Sequence, residues 1–373
     1  MRLCHIVPSL EERHGGPSKS VRAIADAQAA LGAEVELLST QLPPVDHGAA
    51  TPGIARNLNF AREWPTTLYR STGLRDHLKS TRYDCVHSHA CWILTVRYAE
   101  AAARFHRVPL VLSPRGMLTE WAWRHHRGRK ALAERFVHPG AFTHAAGWHA
   151  TSTEEADDIR RLGYTQPICV APNGVTVPDD AATAAARAAW QPLANAAGAR
   201  RVALFYSRFH RKKRLRELVD LWLSSPRDGW YLALAGLPEE FSADDVSRWV
   251  TDAGAQDRVG VFSSEGRPPP YPLASIFLLP SHSENFGLVI AEALAAAVPV
   301  LVTDTTPWRN LEKEQAGWCV RWADYPAVLA TALACSPAEL RVRGEHGRRW
   351  AARDFTWESS ARRLLDFYQE LGA

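Results

Sequence analysis

The 373-residue chain has little that would mark an extracellular, membrane-spanning or nucleic-acid-binding protein. Its six cysteines (Cys4, Cys85, Cys91, Cys169, Cys319 and Cys335) form no Cys-x-x-Cys pair and no regular spacing, which argues against a zinc site or a disulfide framework and fits a reducing cytoplasm. No apolar run approaches the roughly 18 residues of a membrane span, and the opening MRLCHIV meets Pro8 too early for a signal peptide. Charge of one sign is also scarce in excess: 44 basic against 40 acidic residues leave a net +4, too little to argue for a nucleic-acid surface. No short-period repeat interrupts the chain, and the sole biased tract is the alanine-rich stretch 179–200.

What is present is an alternation. Short apolar runs at 3–7, 35–39, 84–89, 109–113, 147–151 and 168–172 are separated by stretches of helical periodicity such as Ser18–Leu31. Strand, helix, strand in that rhythm predicts a parallel sheet covered on both faces. The rhythm breaks at 179–200, read as a partly helical interdomain connection, and resumes with strand candidates at 202–207, 231–236, 259–262, 276–280, 298–303 and 317–320. The organisation expected is therefore a first α/β domain over 1–178, a connection over 179–200, a second α/β domain over 201–353 and a closing helix over 354–373, which opens on the capping residue Thr356.

The most informative segment is SENFGLVIAEALAAAVPVLVTD, 283–304. A strand ending near Pro280 feeds a polar loop that enters a helix at about Gly287, with Glu284 ahead of the helix and Glu292 inside it. At ~1.5 Å of rise per residue, Glu292 lies about one and a half turns in, so both carboxylates address a ligand at the helix mouth. The N–H groups of Phe286, Gly287 and Leu288 suit a diphosphate there, and Gly287 permits close approach. Carboxylates beside phosphates suit the hydroxyls of a sugar and a ribose, and two sugars on two phosphates describe a nucleotide sugar.

These residues resemble glycosyltransferase family 4, whose signature is two glutamates separated by seven residues; Glu284 and Glu292 match it, within FGLVIAEALA and VPVLVTD. The resemblance implies the GT-B fold, two Rossmann-like domains with parallel sheets and a cleft between them. It assigns Glu284 to donor-sugar hydroxyls and Glu292 to the donor ribose, with Asn285 in the same loop. In ALFYSRFHRKKRLRELV (203–219) the family's basic pair is kept as Arg208 and Lys213, which would neutralise the leaving diphosphate, whereas Ser207 and Arg214 stand where relatives have glycine. AGLPEE (235–240), with Gly236, is similar to the family's next turn, and Gly15 and Gly16 after the first strand are similar to its glycine loop.

The first domain is less explicit. Many relatives carry a histidine in the loop that here reads Ser113-Pro114-Arg115-Gly116, so Arg115 and Gly116 become acceptor-side candidates. CVHSHACW (85–92) offers His89 for contact with sugar or acceptor, a structurally packed histidine being the alternative. A metal pair of His87 and His89 finds no third ligand in the sequence, and no Asp-x-Asp occurs, so metal independence and no cofactor beyond the donor substrate, of unknown base, are expected.

The implied activity is retaining transfer of a sugar to a glycan or lipid-linked acceptor hydroxyl in bacterial surface-polysaccharide or glycolipid assembly, with no nucleic-acid partner. A nucleotide-sugar epimerase or hydrolase and a noncatalytic sugar-nucleotide-binding relative are the alternatives. Residues 120–136, EWAWRHHRGRKALAERF, mix aromatic and basic side chains in a way that suits an anionic membrane surface, and hence a cytoplasmic enzyme peripheral to the inner face of the plasma membrane. The same residues equally suit a core cap with a solvated basic face.

Overall fold

The computed structural model describes residues 1–11, 16–41, 53–124, 127–225 and 227–373. They form two compact units, Met1–Gly174 with Thr356–Ala373, and Val175–Phe355. Each unit is a Rossmann-like parallel sheet with helices.

In the first unit the chain runs β1 (Arg2–Ile6), α1 (Gly16–Ala30), β2 (Glu34–Gln41), β3 (Arg56–Ala61), α2 (Thr72–Ser80), β4 (Cys85–His89) and α3 (Leu94–His106). It continues through β5 (Leu110–Ser113), α4 (Glu120–Arg124), α5 (Arg127–Phe136), α6 (Ala141–His144), β6 (Gly147–Ala150), α7 (Thr153–Arg161) and β7 (Ile168–Val170). The sheet order is β3-β2-β1-β4-β5-β6-β7, every pairing parallel.

The six expected strands are all present, and the sequence reading missed a seventh, β3. Its sequence, RNLNFA, is an edge strand with Leu58 its sole fully buried apolar side chain, so it never reads as the apolar run of a central parallel strand. By contrast β4, CVHSH, is buried along its whole length. Polar residues in so enclosed a strand need partners, and they become the structural centre of this unit.

The second unit begins with α8 (Asp180–Ala189) and α9 (Gln191–Ala197) and then runs β8 (Arg201–Tyr206), α10 (Leu215–Leu223), β9 (Trp230–Gly236), α11 (Ala243–Asp252) and β10 (Val259–Ser263). β11 (Ile276–Leu279), α12 (Leu288–Ala295), β12 (Val300–Thr303), β13 (Gly317–Val320), α13 (Tyr325–Ala334) and α14 (Pro337–Asp354) complete it, with sheet order β10-β9-β8-β11-β12-β13.

Two boundaries differ from the sequence expectation. Residues 179–200 are helices of the second unit rather than a connection: Trp190, Leu193 and Ala197 are buried in its core, and the Trp190 indole donates to Pro268 O at 2.6 Å. An alanine-rich stretch hides this because one tryptophan and one leucine supply nearly all of its anchoring surface. The final helix, α15 (Trp357–Glu370), is capped by Thr356 as expected but belongs to the first unit, where Ala361, Leu364, Phe367 and Tyr368 pack with Ile24 and Ala25 of α1. Gly174, beside Trp357, has no room for a side chain: a Cβ would lie 2.3 Å from the Trp357 nitrogen.

Candidate active site

In the second unit the candidate donor residues stand on loops that follow the carboxyl ends of β8 and β11, the edge where ligands bind in such sheets. Beyond β8 the chain passes Arg208, makes a bridge from Phe209 to Pro238, and turns through Arg211–Lys213 with the His210 side chain accepting from the Lys212 N–H at 2.9 Å. The turn ends at Arg214, whose φ of 51° is left-handed. This is the position where the family resemblance leads to the expectation of glycine. The non-glycine residue costs ~1–2 kcal/mol there, and the Arg214 guanidinium, 4.8 Å from the centre of the Trp322 ring, supplies a compensating contact. At the other departure, Ser207, the carbonyl oxygen lies where a Cβ on Gly236 would approach to 2.0 Å, so the glycine of AGLPEE serves this close strand-end packing.

The β11 loop meets this turn directly. His282 N–H donates to Lys212 O at 2.7 Å, and Lys213 Nζ lies 2.5 Å from Glu284 Oε1. Both side chains are nearly buried, at 10% and 9% exposure, so this is an interior ion pair. Ser281 donates to the same Glu284 oxygen at 2.6 Å. Burial pushes the Glu284 carboxyl up, but Lys213, Lys212 and the Ser281 hydroxyl more than offset it and hold the group below its ordinary value. It is a carboxylate at neutral pH. Thr303 and Thr305 each donate to Ser281 O at 2.6 Å and so fix the loop from β12; nothing in their local sequence announced that role.

Gly287 forms the N-cap of α12 at φ 75°, where a Cβ would meet Ile290 at 2.8 Å, so both the backbone and the space require glycine. Phe286 turns inward: it is 5% exposed, its ring lies 5.3 Å from that of Trp308, and its carbonyl accepts from the Trp308 indole at 2.6 Å. Its contribution at the helix mouth is therefore its backbone N–H, alongside those of Gly287 and Leu288 in the first turn of α12. Asn285 and Leu288 are half-buried in the same segment. Glu292 sits on the second turn, half-buried, with Oε2 3.0 Å from the hydroxyl of the buried Tyr271. Burial and then the Glu292 charge push that tyrosine well above its ordinary value, so it stays a neutral donor. Tyr271 was not legible as a site residue, since it reaches Glu292 from a separate turn before β11.

Arg208 extends from its loop with its guanidinium paired to Glu239, and Arg211 pairs with Glu240. Arg208 and Lys213, expected to act on one diphosphate, thus have carboxylate partners in the protein itself.

In the first unit Gly16 opens α1 and is exposed, while Gly15 lies outside the described residues. Arg115 follows β5 at φ 52° and Gly116 at φ 81°, the Gly116 N–H donating to Glu155 Oε1 at 2.7 Å. His89 is 1% exposed and both its ring nitrogens are engaged, Nδ1 with Arg115 at 3.2 to 3.3 Å and Nε2 with His5 Nδ1 at 2.8 Å. The ring therefore stands behind Arg115 as a support, which is the packed alternative, and offers no atom for a substrate contact. His5, His87 and His89 bring ligand-type atoms within 4.8 Å of one another, a third histidine that spacing alone did not suggest.

Comparison with known proteins gives the family. The family model for the glycosyl transferase 4-like domain matches residues 15–174 and that for glycosyl transferases group 1 matches 187–364. A D-inositol 3-phosphate glycosyltransferase of Xylanimonas cellulosilytica is 27% identical over 95% of this chain and 92% of its own length. That of Saccharomonospora viridis is 32% identical, but over 37% of this chain and 30% of its own length. Among solved structures, sucrose-phosphate synthase of Thermosynechococcus elongatus superposes with a TM-score of 0.76 at 22% identity, covering 99% of this chain and 98% of that one. Anabaena HepE in complex with UDP-glucose gives 0.76 at 16% identity, over 99% and 100% of the two chains; at these identities the likeness is one of fold, GT-B. Two family models that together take in most of the chain, near-full-length relatives that are glycosyltransferases and the Glu284–Glu292 segment in its expected conformation place this protein among the glycosyltransferases of family 4.

Proposed function

We infer that the enzyme transfers a glycosyl group from a nucleotide sugar to an acceptor hydroxyl with retention of anomeric configuration, without a metal ion. The observation that carries this reading is the interior Lys213–Glu284 pair beside the N-terminus of α12, with Glu292 one and a half turns further on. Glu284 accepts hydrogen bonds from donor-sugar hydroxyls and Glu292 from the ribose. The diphosphate takes the N–H groups at the helix mouth and exchanges partners with Arg208 and Lys213, so that negative charge developing on the leaving group meets cations already in place. Gly236, Gly287, Gly15 and Gly16 act through close backbone approach. The acceptor belongs to the first unit at Arg115 and Gly116, and the biological setting is bacterial surface-polysaccharide or glycolipid assembly.

A thermal-shift screen against UDP, GDP and ADP tests the donor assignment, because a ligand of the native state raises its stability. One diphosphate should stand out. Arg208→Ala should then weaken that diphosphate about 10-fold or more, the worth of a charge-assisted contact, and leave the corresponding nucleoside within about 2-fold. Equal losses for both would remove Arg208 from the phosphates.

A peripheral membrane location is supported by α5, where Leu132 and Phe136, one turn apart, are 60% and 62% exposed in a helix that also carries Arg127, Arg129, Lys130 and Arg135. Apolar side chains left in water on a helix whose sequence holds four basic residues match an anionic lipid surface, where each Lys or Arg near the surface contributes ~1 kcal/mol. The sequence residues Trp121 and Trp123 divide: Trp123 packs against Trp92 and the core of the first unit, while the side chain of Trp121 lies outside those described. No helix among the described residues is long and apolar enough to cross a membrane. Co-sedimentation with phosphatidylglycerol liposomes should fall as salt rises and be lost when Leu132 and Phe136 are both replaced by Ser; binding indifferent to salt and to those side chains refutes the location.

A further inference from the structure

Among the described residues no carboxylate bonds to the Arg115 guanidinium directly, although the Glu155 charge acts on it. Its Nη1 donates to Asn173 Oδ1 at 2.8 Å, and Nε and Nη2 face His89 Nδ1. The nearby carboxylate, Glu155, is committed elsewhere, accepting from the N–H groups of Gly116 and Thr151 at 2.7 Å and from the Thr151 hydroxyl at 2.9 Å. Burial lowers the guanidinium only to about 10, so the charge is fully present at neutral pH.

An arginine can only donate, and this fixes the direction of a chain of hydrogen bonds through the centre of the first unit. His89 accepts at Nδ1, so its proton is on Nε2 and is given to His5 Nδ1 at 2.8 Å. His5 then carries its proton on Nε2 and gives it to Gln28 Oε1 at 2.6 Å. The Gln28 amide nitrogen donates to the Tyr368 hydroxyl at 3.4 Å, and that hydroxyl donates in turn to His87 Nδ1 at 2.6 Å. The three imidazoles are thereby all neutral and all of one tautomer.

Two consequences follow. The three-histidine cluster is not arranged for a metal ion, since His89 turns an N–H and not a lone pair toward His5, and its outer nitrogen is backed by a cation where a metal-bound histidine is backed by an acceptor. The chain also anchors Arg115 from α1 and α15 with neutral groups only, so its direct partners leave the guanidinium without a bonded carboxylate. One N–H on each terminal nitrogen remains for a further acceptor, the paired geometry that fits two oxygens of a phosphate or carboxylate.

We propose that Arg115, at the carboxyl edge of the first sheet and held by the His89–His5–Gln28–Tyr368–His87 relay, is an anion-binding residue that recognises a phosphate group on the acceptor substrate. The proposal rests on the transferase reading with its acceptor in the first unit. A guanidinium largely enclosed without a bonded carboxylate is costly to the folded protein, and an anionic ligand reduces that cost on binding.

The test titrates inorganic phosphate, at constant ionic strength, into protein already saturated with the nucleoside diphosphate that stabilises it best, so that the donor residues are occupied. Wild type should show a further, saturable rise in Tm; Arg115→Gln should weaken phosphate at least 10-fold while its affinity for the diphosphate stays within about 2-fold. Arg115→Lys, which keeps the charge but loses the fork, should fall between them and serves if the glutamine variant does not fold. Equal phosphate binding by wild type and both variants, or no saturable effect in wild type, overturns the proposal. If no nucleoside diphosphate binds, it is the transferase reading that fails. Glycerol phosphate and a short-chain phosphatidic acid kept monomeric complete the series: Arg115-dependent binding that is equal for both indicates a soluble phosphorylated acceptor, and tighter binding of the second a lipid-borne one.

Discussion

Glu284→Gln is expected to lower the transfer rate by roughly 10- to 100-fold, the worth of a charge-assisted hydrogen bond, and to destabilise the fold at the same time. The second effect follows from geometry. With the carboxylate gone, Lys213 is left 90% enclosed without its counter-charge, and breaking a buried pair in this way costs ~3–5 kcal/mol. The two effects separate in the double variant Lys213→Met, Glu284→Gln, which removes both charges: stability should return most of the way and transfer should not. Chemical unfolding reads the first and acceptor-dependent release of the nucleoside diphosphate the second. A double variant as active as wild type would show that the pair is structural, and a single variant as stable as wild type would show that Lys213 finds another partner.

Mild acid should unfold the first unit before the second. His5, His87, His89 and His149 are all buried and neutral, with burial the largest cause and the Arg115 charge adding to it; His5 is lowered from 6.5 to about 4 and the others lie well below their ordinary value. The charged groups nearest them are Arg115 and the hydrogen-bonded Glu155, and the remaining neighbours, Gln28 and Tyr368, are neutral.

Below pH 6.5 the unfolded chain binds protons that the folded unit refuses, so stability is complete above 6.5 and declines as pH falls toward 4. His5 alone accounts for ~3 kcal/mol by this linkage, which for a unit of this size lowers Tm by about 10 °C. In the second unit the Glu284 carboxyl is shifted in the same direction but from a lower starting value, so its contribution is lost only as pH drops below 4.5. Calorimetry at pH 7.5, 6 and 5 should therefore show the first unit's transition moving down much further than the second's, where the histidine that burial lowers is the partly exposed His282. His5→Gln, which keeps a donor toward Gln28, should flatten the first unit's shift; a pH-independent Tm across this range would contradict the buried neutral cluster.

Much of this protein is local and was legible as such. Twelve of the thirteen strands in the described residues were legible as short runs between helical stretches, because strands covered on both faces of a parallel sheet are mainly apolar, β4 with its two histidines being the exception. β3 escaped because an edge strand is under no such demand. The Glu284 and Glu292 pair follows from helix geometry alone, as does the need for glycine at 287, and Arg208 and Lys213 lie in sequence where the strand-to-helix turn delivers them.

The sequence by itself thus determined the number and kind of elements, the two-unit organisation in outline and the side chains at the mouth of α12, all of which depend on residues within a dozen positions of one another. Tertiary structure alone decided that residues 179–200 join the second core, that the last helix returns to the first unit, and that Tyr271 reaches Glu292. It also decided the part played by His89. Whether a histidine at a strand end meets substrate or neighbour depends on what the fold sets against it, and here His5, Gln28, Arg115 and Tyr368 converge from β1, α1, the loop after β5 and α15, up to 340 residues apart. No spacing encodes a hydrogen bond between such distant positions; only packing the helices onto the sheet brings the donors and acceptors together, and the fixed donor character of one arginine then sets the direction of all of them.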